Sequence, residues 1–287
     1  MSDNIKEIPG AEFPPLLSET PAAPKKLYYR GMLPDWHSYK FLAVVGSRKY
    51  SSYGKEVCEE LIAGVSGFPI VIVSGLALGI DSIAHKSALR VKLPTIAIPG
   101  SGLDPHVLYP ASHKNLAEEI IGSGGALISE FEPDFRATTW SFPQRNRLMA
   151  GMCHAVLVIE AEIKSGTLIT SKLATEYNRD VLAVPGSILS KNSEGPHMLL
   201  RLGATPITSS KDILEALHIE GASDTQTKNY SDCSQDERSI IERLSIPLPR
   251  ETLIAEIGRP AHEVNALLSL LELKGYLKET GGELHLI

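Results

Sequence analysis

Three short stretches carry side chains able to grip an anion. Gly46-Ser47-Arg48 closes one apolar run, Lys164-Ser165-Gly166-Thr167 follows another, and Arg145-Asn146-Arg147 lies between them. In the first, a glycine admits a phosphate to the backbone, Ser47 and nearby N–H groups donate to it, and a guanidinium clamps it with two parallel hydrogen bonds. In the second, Ser-Gly-Thr at a helix start offers unpaired amides, and Lys164 adds a point charge. Both have plain alternatives: a tight turn with a solvated arginine, and a simple helix cap. The third stretch sits in FRATTWSFPQRNRLMAG (135–151). No Asp or Glu occurs from Phe135 to Ile159, whereas Arg136, Arg145 and Arg147 do, with Trp140 and Phe142 between them. Guanidinium on phosphate and rings under bases suit an unpaired nucleic-acid strand. The alternative places the rings in the core and pairs the arginines with carboxylates.

Other turns add weaker signals. Ser74-Gly75 leads through Gly79 to Asp81 and His85, four apart and so on one helix face. Asp81 is read as a helix-start residue that complements the dipole, and His85 stays undecided. Pro99-Gly100-Ser101-Gly102 runs on to Asp104 and Tyr109-Pro110, and Val184-Pro185-Gly186-Ser187 ends a further run. Glu160 precedes the Lys164 turn. The chain has no G-x-G-x-x-G, no GxxxxGK[ST] and no G-x-S-x-G, which argues against a dinucleotide site, a P-loop ATPase and a hydrolase elbow.

The elements that must position these residues follow from hydrophobic patterning. FLAVVG (41–46), IVIVSG (70–75), TIAIPG (95–100), ALIS (126–129), AVLVIEA (155–161) and VLAVPG (181–186) are short continuous apolar runs, mostly ending in glycine. Amphipathic stretches such as YGKEVCEELIAGV and GTLITSKLATEYN separate most of them. Buried strands alternating with helices predict a doubly wound, mostly parallel, Rossmann-like α/β domain over about 27–220. Ligands of such sheets sit at the carboxyl ends of the strands, where all these turns fall. Residues 1–26 are proline-punctuated, without helical period, and read as an arm; 221–236 is polar and small and reads as a linker. From 237 to 287, three helical stretches and two extended runs about Gly281-Gly282 form a winged-helix pattern.

Composition narrows the partners. With 43% hydrophobic and 22% charged residues the chain is an ordinary globular one. Its 28 Lys and Arg against 34 Asp and Glu leave a net charge of −6, so a polyanion must be held by a local patch. Cys58, Cys153 and Cys233 have no metal-like spacing and suit a reducing compartment. The N-terminus does not read as a signal peptide, and no apolar run nears the ~20 residues of a membrane span. A soluble cytoplasmic protein is expected, without metal or cofactor.

Taken in order, VVGSRKYSSYG, SGLALGIDSIAH, PGSGLD with its YP, ISEFEPD, FPQRNRLMAG, IEAEIKSGTLIT, VLAVPGS and RLGA resemble the DNA processing protein A family (DprA, also called Smf), over about Leu27–Leu217. The resemblance implies an extended Rossmann fold and a homodimer. It implies single-stranded DNA binding without sequence preference, and loading of the RecA recombinase in natural transformation. It makes Arg48 a principal phosphate contact and sets Phe142 beside the DNA. Arg145, Asn146, Arg147 and the Lys164–Thr167 turn match motif positions near the pocket. Gly46, Ser47, Ser74 and Gly75 complete the expected site. Thr139 and Trp140 stand where some members carry a basic residue, and 26 leading residues are too few for the helical N-terminal domain of many members.

The tail resembles the family's winged helix, but Ser234–Ile287 holds six basic and nine acidic residues. A duplex reader brings cations to the groove, so this module is expected to contact protein or to bind DNA weakly. No enzyme activity is expected. The alternatives are a Rossmann-type nucleotide N-glycosidase of the lysine-decarboxylase-like kind, and a winged-helix DNA-binding regulator. The first lacks the PGG that should precede Ser165-Gly166-Thr167 and a Glu at the right offset, and the second meets an acidic tail.

Overall fold

A computed structural model describes residues 5–219, 233–244, 247–280 and 282–286. The chain divides into two units, Met1–Ala222 and Ser223–Ile287. In the first, β1 (Lys6–Ile8), β2 (Leu27–Gly31), β3 (Lys40–Val45), β4 (Ile70–Ser74), β5 (Thr95–Ala97), β6 (Ala126–Ser129), β7 (Ala155–Val158), β8 (Asp180–Ala183) and β9 (Thr205–Pro206) make one sheet, ordered β1-β2-β6-β5-β4-β3-β7-β8-β9. β1 and β2 run antiparallel at one edge, and the strands from β6 to β9 pair in parallel.

Because both faces of the parallel strands are covered, alternate residues enter opposite cores and each strand reads as continuously apolar. Phe41, Ala43 and Val45 pack with Leu148, Met149 and Met152 of α5 (Ser141–Met152), Ala174 of α6 (Thr167–Glu176) and Leu199 of α7 (Glu194–Arg201). Leu42 and Val44 face the other way. They meet Leu61 and Ile62 of α2 (Ser52–Gly64), Ile80 and Ala84 of α3 (Ile80–Arg90) and Ile213 of α8 (Ser210–Ala216). Burying each such Leu or Ile contributes about 2 kcal/mol. A third cluster joins α4 (Lys114–Gly122) to the β5–β6 side through Leu116 and Ile120.

β3 lies between β4 and β7. The chain winds outward from β3 in one direction through β4, β5 and β6, then crosses back and winds the other way from β7. Strand order therefore reverses between β3 and β7, which opens a crevice at their carboxyl ends.

The 1–26 arm is part of this unit. β1 pairs with β2 from Lys6↔Tyr29 to Ile8↔Leu27, and α1 (Pro15–Ser18) buries Leu17 beside Gly151. The expectation of a domain starting at residue 27 is corrected in that sense. Single apolar residues in a proline-rich stretch make no periodic pattern, so their burial is not announced by the sequence.

In the second unit, α9 (Gln235–Arg243), α10 (Arg250–Ile257) and α11 (Ala261–Leu273) precede the hairpin of β11 (Leu277–Thr280) and β12 (Glu283–Leu286), with β10 (Leu248–Pro249) on β12. This is a winged helix around Ile240, Leu253, Val264, Leu268, Leu271 and Leu284. Ser234 caps α9 in a reciprocal box with Glu237. Of the linker expected at 221–236, residues 221–232 lie outside the described residues, as does Gly281 of the expected turn. Cys58, Cys153 and Cys233 are buried, and burial pushes the Cys58 and Cys153 thiols up.

Candidate nucleic-acid interface

The crevice between the ends of β3 and β7 has a volume of about 410 Å³. One wall is the turn after β3, the other is the start of α6, and the head of α5 closes a third side. Gly46, Ser47, Arg48, Phe142, Arg145, Asn146, Lys164, Ser165, Gly166 and Thr167 line it, as the sequence suggested.

Arg48 is exposed, and no carboxylate lies within ion-pair distance of it among the described residues. Its guanidinium carbon stands 5.4 Å from the centroid of the Phe142 ring, a cation–π contact. The Tyr109 ring lies against Phe142, 5.6 Å between centroids and tilted by 51°. Gly46 is needed for close packing, since a Cβ there would meet Ile80 at 2.6 Å. Its carbonyl accepts the Thr167 hydroxyl at 3.1 Å, which ties the two walls together. The Ser47 hydroxyl is spent inside the turn, donating to the Lys49 carbonyl and accepting the Lys49 N–H at 2.9 and 3.1 Å. Opposite, Gly166 caps α6, Ser165 Oγ accepts the Thr167 N–H at 3.2 Å, and Lys164 projects into solvent. The positive end of α6 and two cations thus face one space.

Arg145 belongs to the floor. It is buried, its Nη1 donates to the Gly75 and Ile98 carbonyls, and its Nε donates to Asn146 Oδ1 at 3.1 Å. Burial pulls this guanidinium down to about 10, while Asp81 opposes that shift. Asp81 is also buried. Burial holds its carboxyl above the usual range, against the pull of Arg145 and of the Gly75 and Ala77 amides. It accepts those amides at 3.1 and 3.4 Å, so it pins the loop ahead of α3 where a cap on α3 itself was expected. Asn146 adds Nδ2 to the Gly166 carbonyl at 3.3 Å.

Ser74 does not reach the ligand space, and Gly75 lies at its floor beneath Arg145. Ser74 is fully buried and donates to the Val44 carbonyl at 2.6 Å. A Cβ on Gly75 would fall 1.9 Å from Arg145 Nη1, so this glycine makes room for the arginine. The expectation of Ser74 as a contact is corrected, whereas Gly75 stays beside Arg48 and Phe142 in a small adjoining pocket.

Arg147 is corrected as well. It donates to the Glu130 carboxylate and to the Ala22 carbonyl, away from the crevice. Two residues along a helix turn a side chain by roughly 200°, so Arg145 and Arg147 must diverge. Burial raises the Glu130 carboxyl and Arg147 lowers it. Trp140 is exposed but packs edge-on against Phe131 and Phe135 at 5.7 and 5.6 Å, outside the crevice lining. His85 is fully buried on Thr95, with Nδ1 and Oγ1 2.8 Å apart, and burial takes it down to about 3. Lys49 and Thr170 also line the crevice. The first was legible from its place beside Arg48, and the second from its position three residues on from Thr167 in α6.

Fold and site together define a Rossmann-like protein with a cationic crevice at the point of strand reversal and an appended winged helix. The family model of the DNA recombination-mediator protein A matches residues 5–218, and that of the DprA winged helix domain matches residues 224–283. The chain belongs to this DprA/Smf family. Protein Smf of Escherichia coli (strain K12) is 37% identical over 278 residues, 94% of this chain and 74% of that protein. DNA processing protein DprA of Streptococcus pneumoniae is 46% identical over 198 residues, 69% of this chain and 68% of that one. The X-ray structure of the S. pneumoniae protein superposes with a TM-score of 0.68 at 41% identity, covering 74% of each chain. DNA processing protein A of Helicobacter pylori, a protein with a described single-stranded DNA binding mode, superposes with a TM-score of 0.67 at 29% identity, over 76% of this chain and 98% of that one.

Proposed function

We propose that the crevice holds the sugar–phosphate backbone of unpaired DNA, without sequence preference. The chain then serves as a homodimer that delivers the strand to the RecA recombinase during uptake or recombination in the cytoplasm. One observation carries the binding reading: an exposed Arg48 guanidinium, free of carboxylates among the described residues, lies over the Phe142 ring and faces Lys164 and the head of α6. Phosphate meets the cations, and a base meets a ring, and neither contact reads base identity. Membership of the recombination-mediator family and the likeness to the H. pylori protein support single-stranded DNA as the ligand. RecA delivery and the homodimer rest on family membership alone.

The reading needs no catalytic residue, cofactor or metal. A glycosidase would need a carboxylate held over the glycosidic bond, and the buried Glu160 is turned to Ser51. A duplex reader would need free cations on the winged helix. Three of the six basic residues there are paired, Arg250 with Glu272 and Glu279, Arg259 with Asp236, and Lys274 with Glu237.

Fluorescence anisotropy with oligo-dT and with mixed-sequence strands tests the proposal. Arg48→Ala should weaken all of them by a similar factor, about tenfold, and lower the slope of log affinity against log salt by about 1. Unchanged affinity in a folded variant would overturn the site.

A further inference from the structure

Glu160 follows β7 by two residues and is buried. Its carboxylate faces the turn that bears Arg48. Oε2 accepts the Ser51 N–H at 2.9 Å, and Oε1 accepts the Ser51 hydroxyl at 2.5 Å. Asn192 Nδ2 donates both to Oε2 at 3.3 Å and to the Lys49 carbonyl at 2.9 Å. A Cβ on Gly54 would lie 2.3 Å from Oε2, so glycine lets α2 close down on the carboxylate. The turn is thereby fastened at Lys49 and at Ser51, one and three residues beyond Arg48.

We propose that Glu160 is a positioning residue for DNA binding: an anion built under a cationic turn, which holds Arg48 at the crevice. This rests on the reading of the crevice as a phosphate site. Two effects of removing the charge oppose each other. Through space, a carboxylate near bound phosphate repels it, so neutralising it would tighten binding. Through the turn, losing two charge-assisted hydrogen bonds frees the backbone on which Arg48 stands, so binding weakens. Glu160 does not line the crevice but sits behind the turn, so the through-space effect acts across the turn and into an open, solvated space that damps it. The turn effect acts directly on the clamp, and it prevails.

The test uses the full chain, oligo-dT anisotropy and thermal unfolding of each variant. Glu160→Gln keeps the shape and should weaken binding about three- to tenfold, the cost of ordering one long side chain that is no longer held. The double variant with Arg48→Ala should bind no more weakly than Arg48→Ala alone, because Glu160 acts through Arg48. Asn192→Ala removes the bridge to the Lys49 carbonyl without opening the core, and it decides the matter if Glu160→Gln fails to fold. It should show a smaller loss with the same non-additivity. Tighter or unchanged binding in both Glu160→Gln and Asn192→Ala, or losses that add to that of Arg48→Ala, would overturn the role of Glu160. No loss in Arg48→Ala would instead sink the phosphate-site reading, and this role with it.

Discussion

Arg145 and Arg147 stand one residue apart, and neither does what Arg48 does. Arg145 satisfies the Gly75 and Ile98 carbonyls under the floor, and its charge pulls the nearby buried Asp81 carboxyl down against the effect of burial. Arg145→Met should cost about 2–4 kcal/mol in urea unfolding, because it leaves two buried carbonyls without their donor. Arg147→Ala leaves the half-buried Glu130 without its cation and frees the Ala22 carbonyl. The expected loss is about 1–3 kcal/mol of stability with single-strand affinity unaltered. A drop in affinity at full stability would return Arg147 to the interface. The sequence shows a cationic window here but not its division of labour. The Gly75 and Ile98 carbonyls and the Glu130 carboxylate come from other segments, and only folding brings them to one arginine or the other.

At the scale of elements, the crevice depends on how closely α3 approaches the end of β3. Gly79 precedes α3 with φ +87°, and a Cβ there would stand 2.3 Å from the Ser47 carbonyl oxygen. Gly79→Ala therefore meets both an unfavourable backbone region and the turn that presents Arg48. We expect about 1–3 kcal/mol of destabilisation together with weaker oligo-dT binding, read by unfolding and anisotropy on one preparation. Stability lost with affinity intact would mean that the turn does not pass the displacement on. Strands β3 to β8 and most helices were legible, since runs buried on both faces are apolar throughout and the covering helices keep one apolar stripe, but the two-residue β9 and the site helix α5 were not. β1 and α1 were not, because three- and four-residue elements carry no period.

For the whole molecule, pH and architecture give two expectations. His85 sits fully buried with its ring taken down to about 3, and burial likewise takes His154 down to about 4. Above the unfolded value of about 6.5 both states are neutral and the groups contribute no pH dependence. As pH falls below it, the unfolded chain binds protons that the native state refuses, so stability declines. The slope from His85 alone approaches about 1.4 kcal/mol per pH unit towards pH 4. Urea midpoints measured from pH 7 to pH 4 check this, and a flat profile above pH 5 would contradict it. The crevice lies wholly within Met1–Ala222, so a chain ending at Ala222 should retain the preference for oligo-dT over its duplex. Loss of that preference would assign strand discrimination to the winged helix.

The family resemblance set Phe142 beside the site. Sequence patterning was enough for the succession of β3 to β8 and their turns along the chain, for the winged-helix tail and for the placing of Arg48 and the Lys164–Thr167 turn at one edge. These follow from local periodicity and from the rule that parallel strands deliver their turns to the same side. Tertiary structure decided which basic groups remain free. A guanidinium's fate is set by the nearest carboxylate or carbonyl in space, and for Arg145, Arg147 and the Arg48 turn those partners come from far along the chain.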